Sequence, residues 1–192
     1  MPSVKDFGIG LGKGLGIVAV IIAGIFVIPV TINVIQNSGV LEYIIPESTL
    51  DTQRVAYKIH VLVNEQRMFN GLNALGVHPK LEQAATNHSQ DMATRNYFDH
   101  NSPIDGDFSN RYRNVGLQCE IPISATMYAG GAENIFFLEG YYDEDVIAQT
   151  VVDGWMSSIG HRKNILTPYF LNEGIGVSVS DSGKIYITQN FC

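Results

Sequence analysis

The most informative part of the sequence is VVDGWMSSIGHRKNIL, residues 151–166. Apolar side chains recur at helical spacing over residues 143–156, and this pattern predicts a helix that reaches the single tryptophan of the chain, Trp155. We expect Trp155 to pack in the core. His161 lies just beyond the periodic pattern, in a position from which a side chain can point into a cleft. The stretch alone leaves open whether His161 packs, binds a metal or moves protons.

Helices before this stretch and strands after it predict a domain of the α+β class. Apolar residues at helical spacing follow an N-cap at Asp51 or Thr52, and Gly71 ends that helix. Pro79 opens a second helix. Residues 96–133 hold prolines, glycines and polar side chains, so we expect a loop there. Apolar and polar residues then alternate in GIGVSV (174–179) and KIYITQNF (184–191) around a turn at 180–183, which predicts an antiparallel hairpin.

The N-terminal part of the chain predicts a membrane anchor. No charged residue occurs over residues 14–41, and residues 15–35 are almost entirely apolar. About 20 such residues cross the hydrocarbon core as a helix. The main alternative is a cleaved signal peptide, whose apolar region usually runs about 7–15 residues and ends at a site of small residues. The longer run here favours an uncleaved signal-anchor over residues 15–36.

The charges on either side of this run predict its orientation. Lys5 and Lys13 precede it, whereas Glu42 and Glu47 follow it. Cytoplasmic flanks carry the excess of basic residues, so the N-terminus is expected inside the cell and the main domain outside. The predicted organisation is a short cytoplasmic lead over residues 1–14, the single membrane span, a linker over residues 37–51 and a folded domain over residues 52–192.

The charge and the cysteine content limit which partners and which cellular compartment are expected. The net charge is −7 and the chain has no basic block, so a nucleic-acid partner is not expected. Cys119 and Cys192 are the two cysteines, and outside the cell they could form a disulfide. The alternative of two unpaired thiols stays open, because one pair of cysteines carries little weight.

Two of the five histidines are candidates for a site. His100, in NYFDH, and His161 each follow a helical pattern rather than lying within it. His60 and His88 lie inside predicted helices, so we interpret them as packed or half-exposed residues rather than ligands.

An acid is needed beside the two histidines for metal binding or for proton transfer. Glu133 follows two glycines in GGAENI, and the other nearby acids are Asp99 and Asp153. The chain has no HExxH or CxxC pattern of a standard zinc site and no G-x-S-x-G turn for a serine nucleophile.

Residues 55–192 resemble the CAP superfamily, which comprises cysteine-rich secretory proteins, antigen 5 and pathogenesis-related 1 proteins. The resemblance is strongest to the prokaryotic SCP-like extracellular branch. It rests on segments that occur in the family's order: LVNEQRMFNGLNAL with its N-x-x-R, HSQDMATRNYFDH, GGAENI, VVDGWMSSIGHRKNIL and GIGVSVSDSGKIYITQNF.

The resemblance implies a three-layer α-β-α sandwich with a central cleft. The cleft of the family carries two histidines and two glutamates, and the matching positions are His100, His161 and, for the first glutamate, Glu133. Ser158 stands where the second glutamate is expected. Two neutral imidazoles and one carboxylate are a suitable ligand set for a divalent cation, zinc above all, with water completing the shell.

Function is left open among three hypotheses. The first is a membrane-anchored extracellular domain that holds a metal in the cleft and binds a lipid, a peptide or a surface polymer. The second is a metal-assisted hydrolase or protease in which His100, Glu133 and His161 activate a water. The third is a purely structural surface domain. The first is favoured, because the family is associated with ligand binding and the sequence offers no activated nucleophile.

Overall fold

The structure is a computed structural model that describes residues 50–140 and 143–192. The cytoplasmic lead, the membrane span and all but the end of the linker fall outside these residues, so those predictions concern a part of the chain that the structure does not describe. Within the described ranges, no helix combines the length and the apolar character that crossing a bilayer requires.

The helices and strands follow in this order. They are α1 (Thr52–Phe69), β1 (Gly76–Val77), α2 (Pro79–Arg95), α3 (Phe108–Asn114), β2 (Ile121–Pro122), β3 (Tyr128–Ala129), β4 (Ala132–Leu138), α4 (Glu144–Ser157), α5 (Ile159–Ile165), β5 (Asn172–Val179) and β6 (Ile185–Phe191).

The three predicted helices form, and their ends have local chemical reasons. Asp51 caps α1 by accepting a hydrogen bond from the Arg54 N–H at 3.0 Å. Pro79 is the first residue of α2, where its missing N–H is not needed. Asp143 caps α4, which ends within a residue of its predicted end. The turn at 180–183 joins β5 and β6 as predicted, with Gly183 at a φ of +81°.

Two expectations for the secondary structure are wrong. Residues 96–133 are not a continuous loop, since they contain α3 and the small β2–β3 hairpin. His161 does not lie outside helical structure either, because α5 begins at Ile159, directly after the Ser158 that ends α4. A seven-residue helix and strands of two residues are too short to show a period, so the sequence pattern gave no sign of them.

The sheet and its two helical layers form the predicted α-β-α sandwich. The strand order is β1-β5-β6-β4, with β1 parallel to β5 and the other pairs antiparallel. Helix α2 packs across β5 and β6, whereas α1 packs against α4 and β5. Apolar side chains of α1, α4, α5 and one face of the sheet form the main core, which includes the fully buried Trp155.

Alternation along β5 directs its residues to the two layers. Ile175 and Val177 join the main core on the α1 side. Gly174 and Gly176 face α2, whose backbone passes so close that a Cβ on Gly176 would lie 2.2 Å from the Thr86 nitrogen. The glycines of GIGV therefore set the distance at which α2 sits on the sheet.

The arginine of the N-x-x-R pattern in α1, Arg67, has a structural role. The buried Arg67 guanidinium donates to the carbonyls of Ile165 at 2.6 Å, Thr167 at 3.0 Å and Phe170 at 3.2 Å, and its Nε donates to the Asn73 carbonyl. These carbonyls belong to the last residue of α5 or to irregular segments, where backbone partners are lacking. Arg67 thereby ties α1 to the segment that carries His161.

Cys119 and Cys192 are joined by a disulfide, with their Cα atoms 5.8 Å apart. This decides between the two alternatives that the sequence left open. The bond links the residue after β6 to the segment before β2, 73 residues earlier.

Candidate functional site

The structure brings His100 and His161 together from different elements. Helix α2 ends at Arg95, its C-cap Asn96 adopts a left-handed conformation with a φ of +53°, and His100 lies in the exposed turn that follows. His161 is in the first turn of α5. Their ring centroids are 6.5 Å apart, so one small bound species can contact both rings.

Glu133 lies beside His100 but is buried and fully engaged. One carboxylate oxygen accepts from His100 Nδ1 at 3.0 Å, and the other accepts from Arg111 Nη2 at 2.6 Å. With its amide turned so that the nitrogen faces the carboxylate, Asn190 also donates to Glu133 at 3.1 Å. Glu133 is therefore placed to orient His100, and both of its carboxylate oxygens are already hydrogen-bonded.

Arg111 is a residue of this site that the sequence interpretation missed. Its side chain, only 2% exposed, projects from α3 and donates to the His100 carbonyl at 3.0 Å and the Gly106 carbonyl at 2.6 Å, as well as to Glu133. One guanidinium thus fixes both the acid and the turn that carries His100. The signal was weak, because α3 is too short to show which of its residues turn inward.

The remaining histidine and acid candidates play other parts. His88 is fully buried and packed as expected, with Nε2 bonded to the Asp99 carbonyl at 3.0 Å, and burial lowers its pKa. The Asp99 carboxylate accepts from the Asn101 N–H, and this bond lowers its pKa. Asp153 lies on the exposed face of α4, bonded to Gln149, and is not part of the site.

Trp155 is a core residue, as expected. It is fully buried, and its indole N–H donates to the Ile135 carbonyl of β4 at 3.1 Å. The bond ties α4 to the strand that carries Glu133, so Trp155 supports the site without facing it.

The surroundings of the His161 ring favour its neutral form. Burial lowers its pKa, and the neighbouring His100 lowers it further. In the described part of the chain the His161 ring takes part in no hydrogen bond, so both ring nitrogens are open to a ligand.

Among the described residues, the two histidines are the side chains that fit as metal ligands. Across residues 50–140 and 143–192, no group of three or more His, Cys, Asp or Glu side chains is arranged to hold a metal ion. This agrees with the engagement of Glu133 by Arg111. The imidazoles fit a divalent cation as ligands, and Glu133 fits as the carboxylate behind one of them.

A cleft of about 370 Å³ opens beside His100. It is lined by His100, Asp107, Phe108, Gly131, Ala132, Glu133 and Asn164. Phe108 and Gly131 also border a groove of about 670 Å³ that runs past α3 toward Cys119. The two hollows are neighbours, so an extended ligand at His100 has room to continue along the surface.

The chain matches one family of known proteins. Residues 61–191 match CAP, the cysteine-rich secretory protein family. The chain belongs to this family. Its likeness to the bacterial members is confirmed as well: the Bacillus subtilis protein YkwD is 37% identical over 134 residues, which cover 70% of this chain and 45% of YkwD.

Two further relatives are similar over the same CAP domain. The Bacillus subtilis membrane protein YlbC is 31% identical over 130 residues, or 68% of this chain and 32% of YlbC. The crystal structure of an extracellular SCP-domain protein from Bacillus anthracis is 31% identical, with a TM-score of 0.55, and the match covers 73% of this chain and 40% of that one. The chain thus spans less than half the length of these relatives.

Proposed function

We propose that this CAP domain is an extracellular ligand-binding domain, held at the membrane by the N-terminal segment, with a divalent cation, zinc, bound by His100 and His161. One observation carries the metal part. Two imidazoles from different elements stand 6.5 Å apart, and a buried carboxylate orients one of them. Histidines that bind metals commonly donate their second ring N–H to a carboxylate in this way.

Each residue of the site has a distinct part in this proposal. His100 donates its Nδ1 proton to Glu133, which leaves Nε2 as the ligand atom. Arg111 neutralises Glu133 and holds the turn of His100 in place. Zinc, when bound, would supply a Lewis acid that attracts an anionic or carbonyl oxygen of the ligand.

The space around the site favours a ligand longer than a metabolite. The cleft and the neighbouring groove offer about 370 and 670 Å³, and polar and aromatic side chains line both. A lipid, a peptide or a surface polymer fits this description. Binding is favoured over metal-assisted hydrolysis, because Arg111 and His100 already occupy the Glu133 carboxylate that would act as base.

Zinc titration of single variants tests the metal proposal. His100→Ala and His161→Ala are each expected to abolish tight zinc binding, because each removes one of the two ligands. Glu133→Gln is expected to weaken it by about 10- to 100-fold, as is usual for a partner behind a ligand. Calorimetric titration of zinc into folded protein measures all three. His78→Ala, which alters a cap of α2, is the control and should bind zinc like the parent protein.

The same titrations have a predictable pH dependence. Zinc needs neutral imidazoles, so affinity is expected to fall as pH drops below about 6.5, the ordinary pKa of histidine. Because the pKa of His161 is lowered, this residue stays neutral to a lower pH than a free histidine. An affinity that does not change with pH, or equal affinity in both alanine variants and the parent, would contradict the metal site.

Protease treatment of intact cells tests the proposed membrane topology. External protease is expected to remove a tag placed after Cys192 and to spare a tag at Met1, since the N-terminal lysines favour the cytoplasm. Immunoblots for both tags give the result, and lysed cells provide the control in which both tags are lost. Protection of the C-terminal tag on intact cells would refute the extracellular placement.

A further inference from the structure

A buried carboxylate lies on the main-core face of the sheet, at a distance along the sheet from the histidine pair. Glu173 of β5 is fully buried, and none of the described lysine or arginine side chains forms a salt bridge with it. Its oxygens accept from His60 Nδ1 at 2.6 Å and from Gln189 Nε2 at 2.5 Å. A buried carboxylate is stabilised by such donors.

A chain of side-chain amides leads from Glu173 across the sheet to the cleft. Gln189 of β6 donates to Glu173, and its Oε1 accepts from Asn134 Nδ2 of the neighbouring β4 at 3.0 Å. The Asn134 Oδ1 in turn accepts from Asn164 Nδ2 of α5 at 2.8 Å. Each hydrogen bond between these side chains is donated in the direction of Glu173.

The other side of Glu173 is fixed in the same sense by the backbone. Leu75 donates its N–H to Asn64 Oδ1 at 2.7 Å and accepts from Asn64 Nδ2 at 3.1 Å, so this amide cannot turn over. The Asn64 Nδ2 therefore also faces His60 Nε2, 3.2 Å away, and the ring proton belongs on Nδ1, facing Glu173. The Glu173 carboxylate raises the pKa of His60, whereas the Asn64 N–H opposes a second ring proton.

Asn164 stands at the end of the amide chain that is remote from Glu173, and its orientation determines which polar group faces a ligand in the cleft. Asn164 donates one N–H to Asn134 and the other to the Glu133 carbonyl at 3.2 Å. Both of its donors are thus used, and its Oδ1 accepts no hydrogen bond from the described residues. Asn164 lines the cleft together with His100, so this oxygen is the group it can offer there.

We propose that Glu173 is a positioning residue for the cleft, because its carboxylate, together with the His161 and Glu133 carbonyls, fixes the direction of the amide chain, so that Asn164 presents an acceptor, Oδ1, to the ligand. The ligand then carries an O–H or N–H donor at that point. This last step rests on the proposed function, that the cleft binds a ligand, whereas the direction of the chain does not. The same chain also fixes α5, because Asn134 Nδ2 donates to the His161 carbonyl at 3.2 Å.

Glu173→Gln would disturb the direction of the hydrogen bonds in the amide chain and keep the shape of the side chain. Its NH₂ group must face either the His60 Nδ1–H or the Gln189 NH₂, and two donors then meet. Reversing Gln189 would pass the conflict to Asn134, where it weakens the amide chain, because Asn134 and Asn164 can turn over only by losing their bonds to the His161 and Glu133 carbonyls. In the double variant Glu173→Gln/Gln189→Glu, the charge moves by one position, and Asn134 again finds an acceptor. The double variant should therefore restore the hydrogen bonds of the Asn164 amide.

Side-chain amide exchange with water, measured by NMR on protein labelled with ¹⁵N-asparagine, tests the direction. In the parent protein the Asn164 NH₂ protons are expected to exchange slowly, because both are hydrogen-bonded. Glu173→Gln is expected to speed this exchange about tenfold, equivalent to one lost hydrogen bond, and the double variant to return it to the parent rate. Fast exchange in the parent would overturn the proposal, even where Glu173→Gln fails to fold.

Zinc titration of the same proteins separates this proposal from the metal site. If zinc binds the parent, Glu173→Gln should weaken it about tenfold, the lower end for a partner behind the ligands, and the double variant should recover it. Recovery of zinc affinity without recovery of slow Asn164 exchange would overturn the positioning role. If zinc does not bind the parent, the metal proposal fails, and the amide exchange alone still decides the direction of the chain.

Discussion

Gly176→Ala is expected to be strongly destabilising, although it adds only one carbon atom. The added Cβ would lie 2.2 Å from the Thr86 nitrogen and 2.3 Å from the Ala85 carbonyl carbon, both in the backbone of α2. The backbone of a helix cannot move aside as a flexible side chain can, so the whole of α2 would have to shift away from the sheet. We expect a loss of about 3 kcal/mol or more in the free energy of unfolding. Urea denaturation followed by circular dichroism measures it.

Gly130→Ala is the matched control for this change. A Cβ at Gly130 meets no atom within 4 Å, so the same added carbon should alter stability by less than about 0.5 kcal/mol. If Gly176→Ala proved as mild as the control, α2 would not sit on β5 at the described distance.

Arg111→Met is the second change with a large expected effect. It removes the guanidinium from a buried carboxylate, so Glu133 is left with His100 and Asn190 as its partners. Breaking a buried ion pair from one side typically costs about 3–5 kcal/mol, because the remaining charge is uncompensated. The same urea denaturation measures this loss. Zinc binding should weaken as well, since Arg111 also holds the turn of His100.

A double variant separates the charge effect from lost packing. Arg111→Met/Glu133→Gln removes both charges, so it should recover much of the stability that Arg111→Met loses. Arg113→Met, on the exposed side of the same helix, is the control and should change stability by less than about 0.5 kcal/mol. Additive losses in the double variant would mean that Arg111 acts through packing and not through Glu133.

The part of the site that the sequence predicted depended on two kinds of pattern. Helical spacing placed His100 beyond α2 and His161 beyond α4, and the family resemblance selected Glu133 from the three candidate acids. The structure brings these three together, but it assigns Glu133 to the support of His100. The role of the histidines as metal ligands stays a prediction. Arg111 was missed because a helix of seven residues leaves no periodic signal.

The amide chain shows why some contacts cannot be read from the sequence. Glu173, Gln189 and Asn134 stand on three different strands, and only the register of the sheet makes them neighbours. Alternation predicts that such residues face one side of their strand, but not which side chain of another strand they meet.

The sequence by itself determined the elements whose signals are local. Periodicity and capping defined α1, α2 and α4, and alternation around a polar turn defined the β5–β6 hairpin. Tertiary packing determined where α2 sits, which partners engage Glu133 and which amide oxygen faces the cleft. These depend on contacts between residues far apart in the chain: Gly176 against Thr86, Arg111 against Glu133 and Asn164 against Asn134. Local patterns fix backbone conformation, whereas the state of a buried polar group is set by the partners that packing brings to it.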